Sequence, residues 1–179
     1  MTNTLQIKLL SDNATLPTRN HNTDAGFDIY AAETVVLEPQ QKALIATDIA
    51  VNIPKGYVGL LTSRSGVSSK THLVIETGKI DAGYQGHMQI NIKNDYINLK
   101  EYDEAKIDTN YGDVMYPIYN VDGQANYDKI YDNPVYKINK GDRLAQLVIV
   151  PIITPELEQV EEFDSESARG EKGFGSSGF

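Results

Sequence analysis

The chain has 179 residues, a formal net charge of −9 at pH 7 and no cysteine. Its length suits one domain with a normal core, and the absence of thiols excludes a disulfide framework and thiolate chemistry. The negative charge disfavours non-specific binding to DNA or anionic membranes, which depends on accumulated phosphate neutralisation. No apolar run approaches the ~20 residues of a membrane span, and the polar start MTNTLQIKLL lacks signal-peptide architecture. The sequence therefore predicts a soluble, cytoplasmic protein without a redox role.

Short runs of alternating apolar and polar residues recur along the chain between turn signals. In chain order they are FDIYAAETVVL, KALIATDIAVNI, GYVGLLTS, HMQINIKN and RLAQLVIVPI, and such alternation is typical of half-buried β-strands. Helices are harder to place because Gly, Pro and β-branched residues interrupt every useful window. The best candidate is a short turn of helix that opens at Ser65. The pattern predicts an all-β barrel or jelly roll with at most one short helix.

One stretch, residues 95–138, differs from the rest in composition. It holds eight of the 11 tyrosines and nine acids against four lysines, a local charge of −5. We interpret it as an insertion in the β-domain, whose aromatic side chains can bury enough area to order it. Composition leaves two interpretations open. The stretch is either a small hairpin subdomain that pads the surface or a tyrosine-rich acidic face that binds a partner.

Two glycine-containing segments in the first half of the chain carry candidate site residues. Asp28 lies opposite the two apolar residues that flank it if those face the core, and its carboxylate can then hold Mg²⁺ directly or through water. The ordinary alternative is a solvated acid at a strand start. Arg64, Ser65 and Gly66 combine a guanidinium, a hydroxyl and a glycine at a helix opening, which suits an anion. The alternative there is an ordinary N-cap at Ser65.

Two further segments complete the set. In the turn at 78–87, Asp81 and Tyr84 can face one cavity, where the carboxylate activates a water and the ring packs on a ligand. A tight turn with an exposed tyrosine is the alternative. In the strand that begins near Gly141, regular alternation places Arg143 and Gln146 on different faces. At most one of them then faces a ligand, and we favour Gln146.

The last eleven residues are rich in glycine, yet they carry side chains suited to binding a ligand. Four glycines allow close backbone approach to an anion, Arg169 supplies a phosphate donor, and Phe174 supplies a face for stacking a base. A frayed terminus is the ordinary alternative. The three histidines show no metal-ligand spacing and no Ser-His-Asp grouping, so we interpret them as structural or solvated. Asp81 is therefore the better candidate base.

Taken in order, AGFDIYAAE, RSG, GKIDAGYQG, GDRLAQLVI and RGEKGFGSSG resemble the five motifs of the trimeric dUTPases. The resemblance implies Mg²⁺-assisted hydrolysis of dUTP to dUMP and pyrophosphate, by in-line attack of water on the α-phosphorus, which limits uracil incorporation into DNA. It also implies a single dUTPase domain over residues 1–179, with a jelly-roll-like subunit in a three-fold homotrimer whose sites are each built from all three chains. Residues 165–179 would form a flexible lid arm.

The resemblance also implies roles for individual residues. Asp81 matches the aspartate that activates the attacking water, and Tyr84 matches the aromatic residue that packs on the deoxyribose. Asp28 matches the acid that holds the Mg²⁺ shell through water, and Arg143 matches a structural arginine. The implied substrate-binding residues are Arg64, Ser65, Gly66, Gly78, Lys79, Ile80, Tyr84, Gln89, Gln146, Arg169, Phe174, Gly175, Ser176 and Ser177.

The chain departs from the family pattern at three places. Residues 74–77 lack the asparagine that reads uracil in many cellular members, so base reading leans more on the hairpin backbone. In the tail, Lys172 replaces the usual glycine and Ser177 the usual threonine. The stretch 95–138 is similar to the insert of staphylococcal phage dUTPases, which bind a pathogenicity-island repressor. A second, regulatory role is implied, with the host cytoplasm as its location if the chain is phage-encoded.

Two other functions compete with this interpretation. A dCTP deaminase resembles dUTPases in fold and in several motifs, but its general base is a glutamate at the position of Asn91, and an amide cannot serve as a base. The second alternative is a nucleotide-gated regulatory binding protein that uses dUTP as a ligand and the insert as its output surface. That role can coexist with catalysis because the two features occupy different segments.

Overall fold

The computed structural model describes residues 4–97, 105–128, 130–165 and 170. Thirteen strands and one short helix are found in these ranges, which confirms the predicted all-β fold with one helix opening at Ser65. The elements are β1 Gln6–Leu9, β2 Gly26–Tyr30, β3 Val35–Leu37, β4 Lys42–Asn52, β5 Tyr57–Ser63, α1 Ser65–Lys70, β6 Leu73–Ile75, β7 Gly78–Ile80, β8 Met88–Asn94, β9 Lys106–Ile107, β10 Val114–Tyr119, β11 Ala125–Asp128, β12 Val135–Ile138 and β13 Arg143–Pro151.

The strands form three sheets in a jelly-roll-like arrangement. The first sheet has the order β1-β4-β8-β6, the second β2-β13-β5-β7, and the third β11-β10-β12-β3 with β9 paired to β10. Among the strand pairs of the described residues, β10 and β12 run parallel and all the others run antiparallel. In the first two sheets most neighbouring strands are distant in sequence, as the crossovers of a jelly roll require, whereas β9, β10 and β11 of the third follow one another along the chain. No helix of the described residues is long and apolar enough to cross a membrane.

The core lies between the sheets and is built from alternate residues of the long strands. In β8 the inward methionine and two isoleucines are at most 2% exposed and alternate with less buried residues. Asn94 continues the buried series: its side-chain nitrogen donates to the Leu37 carbonyl oxygen at 3.0 Å, and its Oδ1 accepts the Tyr96 N–H at 3.0 Å. Because this buried amide is hydrogen-bonded, it ties β3 to the end of β8 at little cost.

Both ends of the 95–138 stretch contribute to the core. Tyr96 is 9% exposed, and Tyr136 in β12 is 2% exposed where β12 pairs with β3. Tyr119 of β10 packs between them, with ring centroids 6.2 Å from Tyr96 and 5.2 Å from Tyr136. His72 joins this aromatic cluster through a 3.1 Å hydrogen bond to the Tyr136 hydroxyl. The 95–138 stretch is therefore partly integrated into the domain, since β10 pairs with β12 and carries Tyr119 into the cluster, whereas both residues of β9 are exposed.

The turn between β10 and β11 rests against the end of α1. Gly123 has a φ of +83°, and a Cβ built on it would stand 2.4 Å from the Lys70 carbonyl oxygen. The turn is closed by hydrogen bonds between the backbones of Asn120 and Gln124 at 2.9 Å and of Gly123 and Asn120 at 3.0 Å. Glycine is required here for both the backbone conformation and the close approach.

We expect Gly123→Ala to push this turn away from α1. The variant should lose about 1–3 kcal/mol of stability from the steric conflict, beyond the cost of a left-handed alanine. Gly112→Ala is the matched control, because Gly112 has a φ of +73° in the same region but no neighbour within 4 Å of the position that a Cβ would take. Urea unfolding of both variants measures the difference, and equal losses would refute a close contact at Gly123.

Candidate active site

A buried carboxylate on β2, the outermost strand at one end of the second sheet, lies between two arginines. Asp28 of β2 is 6% exposed. Its Oδ1 accepts a hydrogen bond from Arg64 Nε at 2.7 Å, and its Oδ2 accepts one from Arg143 Nη1 at 3.3 Å. Arg64 also donates from Nη1 to the Arg143 carbonyl oxygen at 3.4 Å. The carboxylate therefore fixes the direction of both guanidinium groups.

A β-bulge in β13 corrects one expectation from the sequence. Regular alternation places Arg143 and Gln146 on different faces, but the register with β2 shifts between Arg143 and Ala145. Leu144 and Ala145 are both fully buried, so the extra residue returns Gln146 to the face of Arg143. Gln146 pairs directly with Asp28 across the strands. The expectation that Arg143 and Gln146 lie on different faces was wrong, because both lie on the face of the buried carboxylate, and the choice of Gln146 as the ligand-facing residue stays a prediction.

The helix that follows Arg64 borders the first cleft. Its N-cap residue is Arg64 in an extended conformation, not Ser65, and no side chain caps the helix. The cleft has a volume of about 410 Å³ and is lined on one side by Arg64, Gly66 and Lys70. Asp122, from the β10–β11 turn, lines the opposite side. Sequence reasoning missed Lys70 and Asp122, because only the contact at Gly123 brings that turn to the helix.

Residues 78–87 form a connection between two sheets instead of a simple hairpin turn. β6 pairs with β8 in the first sheet, whereas β7 between them pairs with β5 in the second. The chain segments before and after this connection stay joined, because Glu76 N–H donates to the Asn91 carbonyl oxygen at 3.0 Å. β7 is the last strand of its sheet. Its outer edge therefore presents N–H and C=O groups that pair with no described strand, as a base-reading edge requires.

The second cleft contains Asp81 and Tyr84 together, as predicted from their spacing. It has a volume of about 290 Å³ and is also lined by Lys79, Ile80, His87, Met88 and Gln89. The Tyr84 N–H donates to the Asp81 carbonyl oxygen at 3.1 Å, which makes a tight turn. The Asp81 side chain is exposed and makes no hydrogen bond to a described residue. Its carboxylate is therefore available to a ligand or a water.

The Tyr84 ring is held by its own turn. Its hydroxyl donates to the His87 carbonyl oxygen at 3.0 Å, and the ring is 46% exposed to the cleft. A Cβ on Gly86 would stand 2.7 Å from the hydroxyl oxygen and 2.8 Å from Cζ, so only glycine lets the ring lie over this position. The tyrosine thus has one face against backbone and the other toward the cleft.

The two clefts share no lining residue within the described chain. The predicted residues of the described chain thus fall into two groups: Asp28, Arg64 and Gln146 lie in or beside the second-sheet face near the first cleft, and Asp81, Tyr84 and Gln89 line the second cleft. The predicted tail residues Arg169, Phe174, Gly175, Ser176 and Ser177 lie outside the described residues, as does Lys172.

No group of three His, Cys, Asp or Glu side chains in the described ranges is placed to hold a metal ion. Asp28 has two lone-pair positions engaged by guanidinium groups, and a carboxylate offers about four. The remaining positions can accept from water. This fits an ion that arrives on a phosphate ligand and keeps several waters, the usual situation for Mg²⁺.

The pKa of Asp95, the first residue of the insert, is lowered. The Lys93 ammonium donates to Asp95 Oδ1 at 2.7 Å, and this hydrogen bond, together with the positive charge, lowers the pKa of Asp95 below its ordinary value. Asp95 also donates its backbone N–H to the His72 carbonyl oxygen at 2.9 Å. The start of the insert is thereby fixed next to the aromatic cluster.

The chain is a jelly-roll domain with a guanidinium pair in one cleft and a carboxylate beside an aromatic ring in another. The chain matches the dUTPase family model over residues 12–104 and 131–178. It is 38% identical to the deoxyuridine 5'-triphosphate nucleotidohydrolase of Mycobacterium marinum, over 99% of this chain and 97% of that protein. The corresponding protein of Debaryomyces hansenii is 36% identical, over 97% and 87%.

Solved structures agree with this match. The dUTPase of Staphylococcus bacteriophage 80alpha with dUPNHPP is 63% identical, with a TM-score of 0.85 over 99% of this chain and 100% of that chain. The work on that protein describes phage dUTPases as controlling transfer of virulence genes. The dUTPase of phage phi11 of S. aureus, described for its species-specific insert, is 60% identical with a TM-score of 0.78 over 92% and 100%. A mutant of the phi11 protein is described as coordinating a structural Mg(II) ion.

The chain belongs to the dUTPase family, and it is an enzyme of the dUTP diphosphatase type. The resemblance of its five motifs to that family is confirmed. The family match is interrupted at 105–130, the range that contains β9, β10 and β11. The chain thus carries three strands where the family model has no counterpart.

We expect Gly86→Ala to displace the Tyr84 ring. Loss of the hydroxyl contact should cost about 1 kcal/mol in the native background. In a Tyr84→Ala background the same change should cost almost nothing, because the obstructing ring is gone. Urea unfolding of the four variants gives the coupling energy. An equal cost in both backgrounds would show that the ring does not lie over Gly86.

Proposed function

We propose that this protein hydrolyses dUTP to dUMP and pyrophosphate and thereby limits uracil incorporation into DNA. The observation that carries the proposal is the cleft in which the exposed Asp81 carboxylate lies three residues from the Tyr84 ring, on a turn that follows the edge strand β7. Asp81 orients a water and accepts its proton as the water oxygen bonds to the α-phosphorus. The bond from the α-phosphorus to its bridging oxygen breaks, and pyrophosphate leaves with the electron pair.

Nucleoside selection comes from rigid groups beside the base and sugar. The outer edge of β7, at Gly78, Lys79 and Ile80, offers fixed backbone donors and acceptors to uracil, and a wrong base leaves them unpaired. Tyr84 packs on the deoxyribose, and because its ring is held against Gly86 it cannot retreat to admit a 2′-hydroxyl. Gln89 lines the same cleft.

The phosphate groups are bound by the other group of residues, near the first cleft. Arg64, Ser65, Gly66 and Gln146 contact the triphosphate, and Arg143 keeps Arg64 in position through Asp28. Asp28 would hold Mg²⁺ through water, and the bound ion supplies neutralisation of the phosphate charge. Arg169 adds a phosphate contact, Phe174 covers the uracil, and Gly175, Ser176 and Ser177 surround the terminal phosphate. Residues 165–179 form a lid that closes over the substrate and excludes water other than the nucleophile.

A homotrimer unites the two groups of residues. In one chain they occupy clefts with no common residue, and a symmetric assembly can place one chain's phosphate-binding cleft against its neighbour's Asp81. The segment after β13 supports this arrangement, because it exposes a run of apolar side chains that a neighbouring subunit can cover. These are Ile152, Ile153, Leu157, Val160 and Phe163, which are 40–100% exposed. We propose that the enzyme acts in the cytoplasm, where its nucleotide substrate is, or in the host cytoplasm if the protein is phage-encoded.

The purified protein with Mg²⁺ should release pyrophosphate from dUTP and spare UTP, dTTP and dCTP. Asp81→Asn should retain dUTP binding while turnover falls by roughly 10²–10⁴-fold, because the amide cannot accept the proton. A pyrophosphate assay with each nucleotide measures turnover, and calorimetry with a non-hydrolysable analogue measures binding.

The alternatives give distinct results in the same assay. Ammonia release from dCTP would indicate the deaminase, whose base position is here Asn91, with its Nδ2 donating to Glu76 at 2.6 Å. Tight dUTP binding without pyrophosphate release would indicate a nucleotide-gated binding protein. Equal turnover of UTP would contradict the role given to Tyr84, and unchanged turnover in Asp81→Asn would mean another base.

We also propose a second role, binding of a pathogenicity-island repressor protein through residues 95–138. The supporting observation is the strand pair β9 and β10, which falls in the range without a family counterpart. Ile107 and Val114 face each other across this pair and are 69% and 37% exposed. Such apolar neighbours on an acidic, tyrosine-rich surface suit the centre of a protein interface.

Replacing Ile107 and Val114 by serine should weaken repressor binding about tenfold or more without lowering dUTP turnover. The positions are exposed, so the fold should be preserved. Leu16→Ser is the control, because Leu16 is an exposed apolar side chain, 56% accessible, outside the insert. Biolayer interferometry with immobilised repressor measures affinity. Unchanged affinity in the double variant, or an equal loss in the control, would exclude this pair as the contact.

A further inference from the structure

An irregular point in β4 lies directly opposite the start of β8. The register runs from Ala46 paired with Gln89 to Ile49 paired with Met88, so two residues of β4 have no partner in β8. They are Thr47 and Asp48. Thr47 is 1% exposed and donates its hydroxyl to the Met88 carbonyl oxygen. The bulge is therefore attached to the residue that ends the turn carrying Asp81 and Tyr84.

Asp48 adopts a left-handed backbone, with a φ of +52°. Such conformations are uncommon for non-glycine residues and persist when surrounding contacts hold them. Three contacts do so here. The Asp48 carbonyl oxygen accepts Leu10 N–H at 2.8 Å, its Oδ2 accepts the Ser11 hydroxyl at 2.5 Å, and its backbone N–H donates to His87 Nε2 at 3.0 Å. The bulge is thus fixed on one side to the two residues that follow β1 and on the other side to His87.

His87 connects this bulge to the Tyr84 ring. Its Nε2 either accepts the Asp48 N–H or, when protonated, donates to Asp48 Oδ1, which lies at 3.3 Å. In both states Asp48 determines where the imidazole lies. The His87 carbonyl oxygen in turn accepts the Tyr84 hydroxyl at 3.0 Å. A continuous path runs from the bulge through His87 to the ring that faces the cleft.

We infer that Asp48 and His87 are positioning residues that determine sugar selectivity by holding Tyr84 in place. Neither acts on the reacting atoms. The inference rests on the proposed hydrolysis of dUTP and adds to it the residues that keep the tyrosine from yielding to a 2′-hydroxyl. A ring bonded to a mobile carbonyl would move aside easily, whereas one bonded to His87, which is held by a bulge that Leu10 and Ser11 also hold, resists displacement.

The test is the ratio of kcat/KM for dUTP to that for UTP. Asp48→Gly keeps the left-handed backbone but removes the carboxylate, so strain is not added. We expect the ratio to fall about tenfold, the factor that corresponds to one neutral hydrogen bond. His87→Gln should lower it similarly. The double variant should be no worse than His87→Gln alone, because the Asp48 carboxylate acts on Tyr84 only through His87.

Two controls separate positioning from general stability. Gln40→Gly makes the same kind of change at the other left-handed non-glycine residue of the described chain, with a φ of +64°, and should leave the ratio unchanged. Asp48→Asn should restore most of the selectivity, because its amide oxygen can accept the Ser11 hydroxyl. Thermal unfolding of each variant monitors the fold.

The outcomes distinguish the inference from the function on which it rests. If the native protein releases no pyrophosphate from dUTP, the proposed function fails. If it is active and selective but Asp48→Gly and His87→Gln keep the native ratio, only the positioning inference fails. Fully additive effects in the double variant would also overturn it, since separate paths would then connect each residue to the site.

Discussion

The site depends on one buried charge, the Asp28 carboxylate. An ion with 6% exposure is tolerated only when it is paired, and here two guanidinium groups supply the pairing. Removing one partner of such a cluster typically costs about 3–5 kcal/mol, because the remaining charge stays buried. Arg64 follows β5 and Arg143 begins β13, so the carboxylate joins three neighbouring segments of the second sheet. Binding groups and sheet geometry are therefore fixed by the same contacts.

This arrangement also prepares Arg64 for an anion. Its Nε is engaged by Asp28 and its Nη1 by the Arg143 carbonyl oxygen, while Nη2 makes no hydrogen bond to a described residue. A guanidinium already held in one direction loses less conformational entropy when a phosphate binds. The local charge of the cluster is net positive, two cations against one anion, although the chain carries −9 overall. The arginine pair thus supplies local attraction for a polyanionic ligand on a chain that is acidic overall.

The sequence predicted the fold class and the residue groups of the site, but not their connections. Alternation identified the strands, and the interruption of other windows by Gly, Pro and β-branched residues left a short helix at Ser65, because both patterns are local properties. The bulge at Leu144 is not local, because it exists only in the register between β13 and β2. It places Gln146 on the same face as Arg143, whereas regular alternation places them on different faces. Tyr96 is a similar case. The composition of residues 95–138 assigns Tyr96 to the insert, whereas the burial of its ring in the aromatic cluster depends on Tyr119 and Tyr136, which are distant in sequence.

The Asp81 turn shows why such long-range geometry matters for chemistry. Its first end is β7, paired to β5 of the second sheet, and its second end is β8, paired to β4 of the first. A change in the relative position of the sheets must therefore be absorbed within residues 81–87, where Asp81 itself has no side-chain partner among the described residues. Catalytic geometry tolerates errors of only about 0.5 Å. An anchor at the β8 end, such as the Asp48 bulge, is thus needed to keep the turn from following motions of the sheets.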